Sequence, residues 1–454
     1  MKKYLRLTLA IIGMIPFHGC DNPVQTSATE TIQGDIVWDK SFGGENSEEL
    51  SVIIPTPDGG YLLGGDSFSN VSGDKSQGHF GGGDYWVIKI DAKGNKVWDK
   101  TFGGFRSDIL KCLVKTSDGG YLLGGYSQSG PTGNKTTGSN AKIDYDYWII
   151  KIDNNGDKIW EKTFGMTDND YLRGMVATED GGYLLAGNSS IPETGESYGS
   201  DDFWVIKINA LGEKVWEKSY GGTQYEALWR IIPTNDKAFL LAGHSNSNAS
   251  GDKSQDSKGD FDFWILKIDS DGHKIWDSSI GGFKSESLLG IAPSSNGGYI
   301  LVGATDADSS PSGDVSGASK GFYDYWVVKA NEQGVKVWDK TFGGNLNDFP
   351  DCLPISYNGG YLIGGYSFSD KSGDKESPLF GDKGDLDFWV INLDSKGNKL
   401  WDKSFGGTSS DFLFSIIPAH DDGYLLVGSS GSPKAGQKTS ETNGSTDFWI
   451  VKIK

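Results

Sequence analysis

The chain has 454 residues and a formal charge of -19, from 42 basic and 61 acidic side chains. No basic block stands out, so there is no face to displace counterions from a phosphate backbone, and nucleic acid is excluded as a partner. The 66 Gly, 15 Trp, 19 Tyr and 22 Phe, without a helical pattern after the first twenty residues, are the composition of an all-β chain with many tight turns.

The chain begins "MKKYLRLTLAIIGMIPFHGC". Lys2, Lys3 and Arg6 precede a short apolar run from Leu7 to Phe17, the layout of a secretory signal and too short to span a bilayer comfortably. Gly19-Cys20 resembles a bacterial lipobox, although Phe17 and His18 depart from its usual residues. That resemblance implies a signal peptide over 1–19, a lipid on Cys20, and attachment at the bacterial envelope, with the outer membrane expected, by that lipid alone. Residues 20–34 are polar and aperiodic, and read as a tether.

From residue 35 onward one unit recurs seven times. In the second copy it reads "DILKCLVKTSDGG", "YLLGGYS", "DYWIIKID" and "KIWEKTFG", four runs of strand length. Trp of the fourth run recurs at Trp38, Trp98, Trp160, Trp216, Trp276, Trp338 and Trp401; that of the third at Trp86, Trp148, Trp204, Trp264, Trp326, Trp389 and Trp449. Four strands in about sixty residues, repeated seven times, predict a seven-bladed β-propeller over 35–454. The chain starts with a lone fourth run, "IVWDKSFGG", and ends with a third, "DFWIVKIK". The N-terminal strand is therefore expected to complete the last blade and close the ring, which an open solenoid would not require.

"YLLGG" followed by a strand, a turn and a Trp-bearing strand resembles the kelch repeat. "WVIKIDAKGNKVW" is similar to the repeat of quinoprotein-type propellers. The chain as a whole looks like the exported repeat lipoproteins of Bacteroidetes-like bacteria. These resemblances imply a fold and carry no cofactor or partner residues across. No cofactor and no metal site is expected. "DSDGH", Asp269 to His273, lacks the spacing and distal Glu of a calcium loop and reads as a hairpin turn.

Turns between the first and second runs, and between the third and fourth, are tight and belong on one face. The opposite face carries the crossings between blades and long loops of 12 to 19 residues between the second and third runs. Such loops are where binding is expected. Asp84, Asp146, Asp202, Asp262, Asp324, Asp387 and Asp447 end those loops, and Ser67, Ser127, Ser189, Ser245, Thr305, Ser367 and Ser430 begin them. A feature needed in every copy reads as scaffold, similar to the structural tetrad of WD-repeat propellers, rather than as a hydrolase carboxylate pair.

A single ligand site has to break the sevenfold pattern. Trp229 belongs to neither Trp series and stands where the other copies carry Ser51, Lys111, Arg173, Leu289, Asp351 and Phe414. With Tyr225, Arg230, His244, Tyr171, Phe105, Arg106, Phe283 and Lys284, it and Arg173 predict aromatics and cations at the channel mouth, suited to sugar rings and acidic groups. The reading that follows is a monomeric, non-enzymatic envelope protein binding a glycan or an envelope protein. A polysaccharide lyase using Tyr225, Arg230 and His244 is the alternative, and a scaffold subunit of an envelope complex a further one. Cys112 and Cys352, at matching positions in distant copies, are expected to be buried free thiols.

Overall fold

The computed structural model describes residues 33–454 except 139–142, 167, 191–198, 307–310, 353–354 and 358. The expected signal, Cys20 with its expected lipid and most of the expected tether lie outside the described residues. Seven antiparallel sheets follow one another, each built from consecutive strands from the channel outward, as in Glu48–Pro55, Tyr61–Ser67, Asp84–Ile90 and Lys96–Phe102. They form a seven-bladed β-propeller. The last sheet takes Asp411–Pro418, Tyr424–Ser430 and Asp447–Ile453 from the C-terminus and Ile36–Phe42 from the N-terminus, paired as Phe42↔Phe448 and Ser41↔Trp449. Backbone bonds in both directions between Asp35 and Lys454 finish the seam.

Each blade is sandwiched between two others, so its middle strands are apolar on both faces, and seven hydrophobic clusters each span two adjacent blades. The third-strand Trp is fully buried in every blade and meets the ring that opens the third strand of the preceding one. Tyr85 and Trp148 stand 4.8 Å apart, Phe263 and Trp326 4.6 Å, and Phe448 and Trp86 4.9 Å across the closure. These tilted contacts add roughly 0.5–1.5 kcal/mol each to the area they bury.

The fourth-strand Trp has a different task. It covers the turn glycine of the next blade, whose positive φ favours Gly: Gly94 (φ 77°) lies against Trp38, and Gly156 (φ 81°) against Trp98. Gly34 (φ 72°) fills the same place against Trp401, so the chain is already packed into the body at the last residue of the expected tether. Cys112 and Cys352 are buried and form no disulfide. In the sixth blade the inner strand is split into Asp348–Pro350 and Ile355–Tyr357, in a stretch whose Pro350 and Pro354 have no N–H to donate.

Candidate functional site

The inner strands carry a feature that the sequence pattern concealed. In six blades the register shifts at one residue: Leu50 faces Gly65 and Val52 faces Gly64, leaving Ser51 as the extra residue of a β-bulge. Lys111, Arg173, Trp229, Leu289 and Phe414 are the extra residues of the corresponding bulges. In the sixth blade the N–H groups of Asp351 and Cys352 both bond the Gly364 carbonyl, giving Asp351 the same place.

The second glycine of the "YLLGG" run makes the bulge possible. A Cβ on Gly65 would stand 2.0 Å from the Glu49 carbonyl, and one on Gly243 1.9 Å from that of Ala227. Without a side chain there, the inner strand folds over the second and turns one residue per blade toward the axis.

Among the described residues, two adjoining cavities lie in the channel. The upper one, about 160 Å³, is lined by Glu49, Leu50, Ser51, Lys111, Arg173, Trp229, Arg230, Asp351 and Phe414. The lower, about 50 Å³, is reached past Ser51, Lys111, Arg173, Arg230 and Phe414, which line both. The upper cavity takes the earlier residues of the inner strands, so it opens toward the long-loop face.

Arg173 stacks its guanidinium 4.6 Å from the Trp229 ring and 5.8 Å from that of Tyr171. Arg230 stands where the other blades carry Val52, Cys112, Gly174, Gly290, Cys352 and Ser415. It donates to its neighbour's carbonyl, Trp229 O, at 3.1 Å and reaches across to the carbonyl of Asp351 at 3.3 Å. Among the described residues no carboxylate lies within 4 Å of Lys111, Arg173 or Arg230. Burial pushes Lys111 down from its ordinary range, while Asp66 and Glu49 oppose that shift. Burial pushes Asp351 up to about 6 against the pull of Arg230, Lys111 and Arg173, and Asp66 up to about 7 against Lys111.

Above the cavities runs an aromatic rim. Tyr126, Tyr145 and Tyr171 lie with centroids 5.1 to 5.5 Å apart. Tyr225, His244 and Phe261 form a second group at 5.3 to 6.5 Å. A third group runs from Tyr323 through Phe349, Tyr366 and Phe412 to Phe414, in steps of 5.4 to 6.2 Å. The first blade interrupts the rim with Glu49 and Asp66.

The predicted residues separate in space. Trp229, Arg230 and Arg173 line the upper cavity, with Tyr171, Tyr225 and His244 at its rim. Phe105 and Phe283 are 74% and 66% exposed on the crossings, whose backbone is stitched to loop hydroxyls of Thr132 and Ser312. Neither they nor Arg106 and Lys284 are among the cavity-lining residues. The set Tyr225, Arg230 and His244 is not brought together as a unit. The cation acting on Tyr225 and His244 is Arg173, and burial with Arg173 lowers His244 to about 4. Sequence reading missed Tyr126, Tyr145, Phe261, Tyr323, Phe349, Tyr366 and Phe412. Comparison of the residue before each third-strand Asp would have found three, since Tyr145, Phe261 and Tyr323 stand where other copies carry Gly83, Asp201, Leu386 and Thr446.

The repeated aspartates lie inside the scaffold. Asp262, Asp387 and Asp447 accept the N–H of Lys258, Phe380 and Asn443 at 2.7 to 2.8 Å, pinning the end of each long loop. Asp84 accepts the N–H of Phe80 and Asp324 that of Lys320. Asp146 and Asp202 hold the same place, each against a crossing glycine, Gly165 and Gly221. A buried lysine from the loop joins this layer at Lys75, Lys135, Lys253, Lys375 and Lys438, a recurring "SGDK"-like feature that the pattern of the four runs does not register. Asp269, Asp271 and His273 cluster closely enough to suggest a cation. Asp269 there accepts the N–H groups of Asp271 and His273 at 2.9 and 2.8 Å, as Asp91 does for Lys93 and Asn95, so the arrangement is a turn device shared between blades.

No family model matches the chain. The regulatory protein FlaEY of Caulobacter vibrioides is 22% identical over 392 residues, 80% of this chain and 40% of that protein. The chain thus spans about two fifths of the length of the curated relative it matches. Among solved structures, a europium-containing methanol dehydrogenase is 12% identical with a TM-score of 0.43, covering 92% of this chain and 93% of that one. Hydrazine synthase of Kuenenia stuttgartiensis is 14% identical at 0.45, over 88% and 96%. Drosophila plexin A in complex with semaphorin 1b is 8% identical at 0.48, over 93% and 88%. These likenesses concern the propeller fold and carry nothing about activity.

Proposed function

We propose that the chain is a non-enzymatic binding protein of the bacterial envelope, anchored through Cys20, that takes an acidic glycan at the channel mouth on its long-loop face. One observation carries this reading: an aromatic rim surrounds a cavity into which three blades deliver Lys111, Arg173 and Arg230 without a carboxylate within ion-pair distance among the described residues. Partly buried rings offer apolar platforms for sugar faces, and cations beneath them select acidic groups.

The test is a panel of acidic and neutral polysaccharides with the full chain, following retention in affinity electrophoresis and absorbance of unsaturated products together. Retention of acidic polymers that Trp229→Ala weakens at least tenfold, without product, is the expected result. Product formation abolished by His244→Ala would replace this reading with a lyase. A co-purifying envelope protein with no glycan retained would replace it with a scaffold.

A further inference from the structure

The two channel cavities meet at the bulge residues. Ser51, Lys111, Arg173, Arg230 and Phe414 border both cavities, so the cations stand at a waist. Three buried donors on residues lining the upper cavity have no acceptor among the described residues: Nε of Arg173, Nε of Arg230 and Nε1 of Trp229. A buried donor left unpaired costs about 1–3 kcal/mol, so these positions favour a ligand that supplies acceptor oxygens.

From this geometry we infer that the waist is a site for one carboxylate at the end of a ligand, a terminal uronate that enters end-on from the long-loop face. The inference deepens, and rests on, the acidic-glycan reading above. Two planar guanidinium groups match the planar fork of a carboxylate. Asp351 faces the same cavity, and Glu49 completes its wall, so a single negative charge is accommodated better than a doubly charged phosphate. Space decides the direction of entry. Pockets that enclose whole small molecules run to roughly 300–1,000 Å³, whereas the upper cavity holds about 160 Å³ and the lower about 50 Å³. Cavities of this size take one ligand terminus and not a whole ring-bearing segment of a polymer.

The experiment follows the fluorescence of Trp229 in the full chain, taken as the difference from Trp229→Phe. The probes are glucuronate, glucose, inorganic phosphate, an acidic peptide, and polyuronates of short and long chain length. Glucuronate is expected to give a saturable change at least tenfold tighter than glucose or phosphate. It is expected to be lost in Lys111→Met and in Lys111→Met/Arg173→Gln, with the thermal unfolding midpoint recorded to confirm folding. Short and long polyuronates should bind equally per chain end.

Equal responses to glucuronate and glucose, a phosphate response as strong as the uronate one, or binding that grows with the number of internal residues would overturn the inference. So would a response to the acidic peptide alone. Retention of acidic polymers unaffected in both variants would leave the glycan reading standing and sink the end-on site. A uronate response with no polymer retained would do the reverse.

Discussion

The fourth-strand Trp is inferred to clamp each blade to the next through a turn glycine, and a pair of substitutions isolates that contact. Gly334 has φ 75°, and a Cβ added there would lie 2.7 Å from Cζ3 of Trp276 and 3.0 Å from its Cη2, with Ser278 Cβ at 3.1 Å. Gly119 has φ 88° in the turn between a first and second strand, and a Cβ added there would meet no heavy atom within 4 Å. Both Gly→Ala changes carry the left-handed backbone penalty of about 1–2 kcal/mol. Each recovers about 0.4–1 kcal/mol from the restricted unfolded chain. Gly334→Ala alone forces the half-buried Trp276 ring aside, adding roughly 1–3 kcal/mol of overpacking. Gly119→Ala should therefore cost about 1 kcal/mol and Gly334→Ala about 2–4 kcal/mol. Urea unfolding followed by Trp fluorescence, with the denaturant slope checked for constancy, measures the difference. Equal losses in the two variants would refute the clamp.

Three further outcomes are expected. In five blades the third-strand Trp donates its indole N–H to a fourth-strand Asp, as Trp86 does to Asp99 at 3.1 Å, but in the second blade Glu161 stands in place of that Asp and Nε1 of Trp148 has no partner among the described residues. Glu161→Asp should restore the bond and raise stability by about 1 kcal/mol in urea unfolding; an unchanged or lower midpoint would contradict it. The buried loop-face carboxylates are held high by burial, Asp84 at about 8, Asp387 and Glu286 at about 7, and Asp447 at about 6. Between their unfolded values and these, the folded state binds more protons than the unfolded one, so their contribution to stability falls as pH rises. The unfolding temperature should be several degrees higher at pH 5.5 than at pH 8, and the opposite order would show that these groups are ionised without cost. At the waist, Lys111, Arg173 and Arg230 face Asp351, Asp66 and Glu49, with His244 at the rim. Protonation of Asp351 near 6 and Asp66 near 7 removes negative charge, while His244, at about 4, stays neutral above pH 5. Uronate binding read at Trp229 should tighten on the order of tenfold from pH 8 to pH 5; a flat profile would exclude these carboxylates from the site.

The architecture was legible in the chain before any coordinates. Two Trp series and a permuted repeat sufficed for the number of blades, the strand order and the closure, because every blade must solve the same packing problem with the same residues. The lone fourth run at the N-terminus pairs with Asp447–Ile453 as that logic required. Trp229 could also be singled out, since a residue outside both series is visible in one dimension.

Where the exceptions point became clear only in three dimensions. The bulge that turns Trp229, Lys111 and Arg173 into the channel depends on a steric gap above the second glycine of each "YLLGG" run or its counterpart, and a gap leaves no hydrophobic pattern. Arg230 reaches Asp351 across 121 positions of sequence, a contact set by ring closure. Phe105 and Phe283 resemble site residues by type, yet they are exposed on the crossings and line neither cavity. Periodicity reports which side of a strand is covered, whereas convergence at an axis is a property of the closed ring.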